Sequence, residues 1–267
     1  MSALVAALRR DRWILFLGLG LITGAAWIYL VRDARRMNLM GPAGCVGMEM
    51  GNPELAPWSP GTIGPLFVMW SVMMVAMMLP SAVPMIFTFE SVMRKRRQLT
   101  RPYVATSIFV AGYVAVWSAF SIAAALAQWF LHRHALLSPM MVSANATLGG
   151  LLLLVAGVFQ FTRLKHVCLA HCRAPLEFIL TRWKEGALGA FQMGVEHGTF
   201  CAGCCWALMC LLFVIGVMNV VWIAVLTALV LLEKMLPRRV AISSTVGFAL
   251  IIWGTLVLYR GLFLVAT

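Results

Sequence analysis

The sequence predicts an all-α fold, a polytopic transmembrane helical bundle of about seven spans, and three observations carry that prediction. Hydrophobic residues fill 62% of the 267 positions and charged residues only 11%, against about 25% charged in an average soluble domain. The apolar residues gather in runs long enough to cross a bilayer. The basic residues fall in short clusters between those runs. A soluble protein would have to build its exterior from that apolar surface, whereas lipid accepts it. Unbroken apolar runs mean helices rather than a barrel, because each helix satisfies its own backbone hydrogen bonds. Residues 1–267 therefore read as one integral membrane domain whose first partner is the lipid bilayer.

The first span is expected at about 13–31, behind Arg9, Arg10 and Arg12. It is long enough to cross and ends at Arg32 without a small-residue cleavage site, so it reads as a retained helix and not a signal peptide. Further spans are expected at about 63–92, 102–131, 143–163, 186–217, 219–236 and 241–264. About 20 apolar residues cross a typical core, so the second, third and fifth must tilt, kink or run beyond it. Pro80 and Pro84 should bend the second, and Gly194, Gly198 and Gly203 loosen the fifth. Six or eight spans follow if 186–217 divides differently.

Charge sets the orientation. Clusters at Arg9–Arg12, Arg94–Arg101, Lys165–Lys184 and Lys234–Arg239 share one side only if seven spans separate the termini. The positive-inside rule then makes the amino terminus cytoplasmic. Arg32, Arg35 and Arg36 run against the pattern. The net charge of +12 is thus spent on helix orientation and anionic lipid head groups, and nucleic acid is not an expected partner. No fixed-period repeat, phosphate loop, nucleophile elbow or dinucleotide fingerprint occurs.

The chemistry concentrates in the fifth span, where Met193–Met209 reads MGVEHGTFCAGCCWALM. His197, Cys201, Cys204 and Cys205 stand at i, i+4, i+7 and i+8 and share one helical face, which Met193 extends. Counted from Gly186, His197 lies roughly 15 Å into the helix, near the bilayer centre. Imidazole and thiolates in a water-poor interior suit Cu(I), with Zn(II) as second choice. Packing as small hydrophobes is the plainer use of membrane cysteines, and it weakens as three of them join a histidine on one face. Ligands one turn apart on a helix are about 5–6 Å from each other, so other spans must contribute donors. Glu196, an ionisable residue at membrane depth, is expected to ligate, orient the imidazole or pass protons. A protonated carboxyl facing another helix is its plainer reading.

The second supplier is Met69–Met85, with Met69, Met73 and Met77 on one face and Met74 and Met78 on the next. Thioethers bind Cu(I) and bind Zn(II) poorly, though methionine also serves as flexible core filler. At the inner boundary, Cys168 and Cys172 stand at i, i+4 with His171 one turn from Cys168, as a cytoplasmic metal dock or dithiol would have them. They lack zinc-finger or CxxC spacing. The outer loop with Met37, Met40, Cys45, Met48, Glu49 and Met50 is a weak copper-capture candidate on an oxidising side. His132 and His134 are expected at an interface, and Glu233 beside Lys234 as an ion pair near the head groups. The seven cysteines show no disulfide-framework spacing.

Four stretches, AMMLPSAVPM (Ala76–Met85), CLAHCRAPL (Cys168–Leu176), HGTFCAGCCWALM (His197–Met209) and GVMNVVWIAVLTALVLLEK (Gly216–Lys234), resemble a bacterial family of predicted metal-binding integral membrane proteins. The histidine followed by CxGCCW is the specific part. The resemblance implies metal binding by His197, Cys201, Cys204 and Cys205, with Cys168 and Cys172 as partners. It brings no activity with it. The function expected is copper transport, or copper delivery to a membrane-complex partner or metallochaperone. A membrane oxidoreductase with a copper or thiol centre, and an accessory subunit of a membrane complex, are the alternatives.

Overall fold

In a computed structural model of the chain, residues 2–44, 62–96, 102–134, 146–236 and 242–263 are described, and all of their regular structure is helical. In chain order the helices are α1 (Ser2–Gly44), α2 (Ile63–Arg96), α3 (Pro102–Arg133), α4 (Ala146–Phe159), α5 (Arg163–Arg173), α6 (Pro175–Thr181), α7 (Gly186–Cys210), α8 (Leu212–Ile215), α9 (Val220–Met235) and α10 (Ile242–Phe263). The expected outer-loop residues Cys45, Met48, Glu49 and Met50 lie outside the described residues.

Five helices are long and apolar enough to cross a membrane: the apolar stretches of α1, α2, α3 and α10, and α7 continued through α8. A sixth crossing exists if α4 and α5, bent by 62° at their junction, count as one span. Among the described residues of the run expected at about 143–163, α4 spans Ala146–Phe159 and ends there. Thr162 then starts a new helix by accepting from the backbone N–H of Lys165 at 3.3 Å, a side-chain cap that satisfies one of the orphan amides of the next helix. The run 186–217 divides too. α7 ends at Cys210, and Gly216, with φ at 107°, closes the short turn of α8. α9 is a helix of only 16 residues.

The exterior of the helices is rich in apolar side chains. Trp13, Leu17, Leu21, Phe130, Leu188, Val221, Phe248, Ile252 and Leu256 are all exposed, a continuous apolar coat that water would not tolerate but acyl chains do. α1 and α10 face mainly outward, while α2 and α7 are mostly buried. Small residues let the inner helices meet. A Cβ at Gly194 would run into the Phe109 carbonyl of α3, and one at Gly112 into the Phe191 carbonyl of α7. The contact is backbone against backbone, as membrane helix pairs built on glycine allow.

α2 stays helical through Pro80 and Pro84. Pro80 has no N–H, so the carbonyl of Ala76, four residues earlier, loses its intrahelical donor. The Trp27 indole of α1 supplies one, with Nε1 donating to that oxygen at 3.2 Å. An orphaned carbonyl in lipid is costly, and a neighbouring helix satisfies it here.

Candidate functional site

α7 presents His197, Cys201, Cys204 and Cys205 on one buried face, as their spacing requires, and each is at most 2% exposed. What they meet comes from four other helices. From α2, Met78 places its Sδ 3.9 Å from Cys205 Sγ. From α3, the Tyr113 hydroxyl donates to the Met78 carbonyl at 2.9 Å and lies 3.1 Å from Cys201 Sγ. From α5, the Cys172 side chain lies beside that of Cys204. From α9, Lys234 Nζ donates to Cys201 Sγ at 2.9 Å and to Ser81 Oγ of α2 at 2.7 Å.

The thiols are turned inward along their own helix. Cys204 and Cys205 both donate to the Cys201 carbonyl, at 3.1 and 2.9 Å. Among the described residues no three His, Cys, Asp or Glu side chains converge as a closed metal shell would. Ligands spaced a turn apart on one helix cannot do so unaided. Sulfur pairs across helices are closer to the need. Two sulfurs each about 2.3 Å from one ion lie at most about 4.6 Å apart, so the Cys205–Met78 separation of 3.9 Å suits a bent two-sulfur bridge. The donor set, thiols with a thioether and an imidazole, is chemically that of a soft monovalent ion.

His197 sits one turn before Cys201, enclosed by the rings of Tyr113 at 5.6 Å, Phe178 of α6 at 5.8 Å and Phe109 at 6.2 Å. Neither ring nitrogen has a hydrogen-bond partner. Buried polar atoms are nearly always satisfied, so an imidazole with both nitrogens unpartnered is an exception in this fold.

The remaining sequence candidates are placed as follows. Cys168 is buried against α7, where a Cβ on Gly203 would come within 2.8 Å of its Sγ. Met73 and Met77 are fully buried, but the thioether beside Cys205 belongs to Met78, on the neighbouring methionine face. Glu196 accepts from the Lys184 ammonium, and the Arg182 guanidinium stands 3.6 Å from its other oxygen. Met193 is buried, and its sulfur accepts from the Lys184 backbone N–H at 3.4 Å. His171 lies against the Phe200 ring at 4.2 Å, and its Nδ1 is 2.9 Å from the Val167 carbonyl. His132 is buried in the last turn of α3.

Sequence reasoning missed the role of α9. Glu233 and Lys234 do not pair with each other at the head groups. Adjacent residues on a helix point about 100° apart, and these two enter different networks. Glu233 accepts both oxygens' worth of bonding from Lys165 of α5, at 2.7 and 2.8 Å, and a bond from Ser243 of α10 at 2.9 Å. Gln160 also accepts from Lys165, and Arg173 Nε donates to the Glu233 carbonyl at 2.7 Å. Lys165 is fully buried and Lys234 nearly so, so neither is the solvated loop charge that the orientation count assumed. The available signal was that LEK closes an apolar run, since ionisable residues at membrane depth are functional until shown otherwise.

Residues 67–257 match the family described as PpoB2: Copper chaperone. No curated protein and no solved structure matches the chain. The match spans well over half of the sequence and includes every buried site residue named above. The chain belongs to that family, and copper is the metal the family points to.

Proposed function

We propose that this copper chaperone family member carries Cu(I) inside the bacterial inner membrane and hands it to a protein partner there, with Cys201, Cys204, Cys205 and Cys172 as its sulfur ligands and His197 as an additional donor. One observation carries the reading: Cys205 lies 3.9 Å from the Met78 thioether of α2, on the same buried face of α7 as His197, Cys201 and Cys204. Buried Met73 and Met77 on α2 and Cys168 on α5 are further soft donors on helices that already reach the cluster. Thioether participation favours copper over zinc. The absence of a closed shell among the described residues suits a carrier, because an ion held by two sulfurs at a time is passed on by ligand exchange. In this reading Glu196, with Lys184 and Arg182, forms the polar mouth of the pocket rather than a ligand.

In the accompanying topology seven helices cross, with α4–α5 and the short α9 as the two irregular ones, and the amino terminus is cytoplasmic.

The test is anaerobic titration of detergent-purified protein with Cu(I) against a chromogenic Cu(I) chelator. Wild type should withhold at least one equivalent. The triple variant Cys201→Ser, Cys204→Ser, Cys205→Ser should withhold none while keeping its helical circular dichroism. Folded wild-type protein that takes no Cu(I) from the chelator refutes the proposal.

A further inference from the structure

The buried stripe of α7 does not end at Cys205. Met209 continues it by one more turn, and both Met209 and Met74 of α2 are fully buried. Two contacts fix the helices against each other around these methionines. Met78 Sδ lies 3.9 Å from Cys205 Sγ. The Trp70 ring meets that of Phe213, in the α8 continuation of α7, with centroids 5.1 Å apart. Met74 stands four residues from both Met78 and Trp70, and Met209 stands four from both Cys205 and Phe213. Residues four apart share a helical face, so Met74 and Met209 fall at the same level, midway between the two contacts. We infer that Met74 and Met209 form a second soft-metal site, a thioether pair that takes Cu(I) and passes it to the cysteines; the transfer rests on the copper reading above, whereas the site itself does not.

The chemistry of the pair fits passage rather than storage. Thioethers are neutral, polarisable donors that take Cu(I) without releasing a proton and bind Zn(II) poorly. An ion held by two neutral sulfurs keeps its positive charge in a water-poor interior, which weakens the site. The next donors are close, because one helical turn, about 6 Å along the axis, separates Met209 from Cys205 and Met74 from Met78. Transfer exchanges one set of sulfur ligands for another, with no change of oxidation state and no bond broken except those to the ion. The pair lies on the far side of the cysteines from Glu196 along α7. The cluster is thus approached from two ends, by the polar group of Glu196, Lys184 and Arg182 at one and by thioethers at the other.

Leucine fills nearly the same volume as methionine without offering a donor, so Met→Leu tests the sulfur and spares the packing. Full-length protein in detergent, labelled with carbon-13 at the methionine methyls, is titrated anaerobically with Cu(I) in the Cys201→Ser, Cys204→Ser, Cys205→Ser background and read by NMR. The Met74 and Met209 methyl resonances, assigned by Met74→Leu and Met209→Leu, should shift together, and either substitution should abolish the shift of the other. So weak a site yields its ion to the chelator of the competition assay, in which that background still withholds none. With the cysteines intact, the double variant Met74→Leu, Met209→Leu should slow stopped-flow uptake of Cu(I) by at least about tenfold while equilibrium retention is unchanged. Methyls that do not move, or that move independently of each other, overturn the site. An uptake rate within about threefold of wild type overturns the transfer. Wild type that withholds no Cu(I) refutes the copper reading at the cysteines and the transfer to them, and coupled methyl shifts in that case still establish the thioether site.

Discussion

Glu233→Gln isolates the energetic weight of the second buried network. In the native chain both Glu233 oxygens receive the Lys165 ammonium, at 2.7 and 2.8 Å, with Ser243 donating to one of them at 2.9 Å, and the two charged side chains are at most 2% exposed. The glutamine keeps the shape and one acceptor but removes the charge and aims an amide N–H₂ toward an ammonium. Breaking a buried pair from one side costs about 3–5 kcal/mol, because the remaining charge stays desolvated and unpaired. Gln160 still accepts from Lys165 and holds the cost to the lower half of that range, about 3 kcal/mol. Unfolding of the detergent-solubilised protein by a denaturing detergent, read by far-ultraviolet circular dichroism, measures it. The double variant Lys165→Met, Glu233→Leu removes both charges and should recover most of the loss, since apolar isosteres of buried pairs are often neutral. A loss under about 1 kcal/mol for Glu233→Gln, or a double variant no better than the single, would show that the pair does not hold α5, α9 and α10 together.

Two further outcomes follow from how the helices meet. Trp27→Phe should cost about 1–3 kcal/mol by leaving the Ala76 carbonyl without a donor, and much less in a Pro80→Ala background, where the restored amide takes the indole's place; the same unfolding assay reads both. Gly194→Leu should cost at least about 1–3 kcal/mol by forcing α3 and α7 apart, and because that contact also positions Tyr113 and His197, Cu(I) retention should fall with it in the chelator competition.

What could be read from the sequence is what depends on one helix at a time. The apolar runs match α2, α3, α9 and α10 to within a few residues but not α1, which runs from Ser2 to Gly44, and the spacing of His197, Cys201, Cys204 and Cys205 placed them together on a buried face because helical periodicity alone decides that. The breaks were less legible. The run through 143–163 is apolar enough to continue, yet Thr162 caps a new helix and turns the chain by 62°, a local hydrogen bond that competes with hydropathy and leaves no trace in it. Neighbours were not legible at all. Both methionine faces of α2 have the same spacing, and only the rotation of α2 against α7 chose Met78 as the thioether beside Cys205. Nothing in the residue order distinguishes Tyr113 from any other tyrosine in an apolar helix.

The two charges at the end of α9 show why a pattern argument fails where a depth argument succeeds. By sequence, Glu233 and Lys234 neighbour each other and the loop that follows, so pairing at the head groups is the cheap solution. Three helices change the accounting. α5 turns from α4 by 62° and brings the fully buried Lys165 with it, where its ammonium is paired with a carboxylate. Glu233 is the carboxylate that Lys165 reaches, which strips Lys234 of its sequence neighbour as a partner. The helical turn of about 100° between them then directs Lys234 into the space between α2 and α7, where Cys201 and Ser81 wait. One carboxylate drawn to α5 is thus the reason the Lys234 ammonium is left to Ser81 and Cys201.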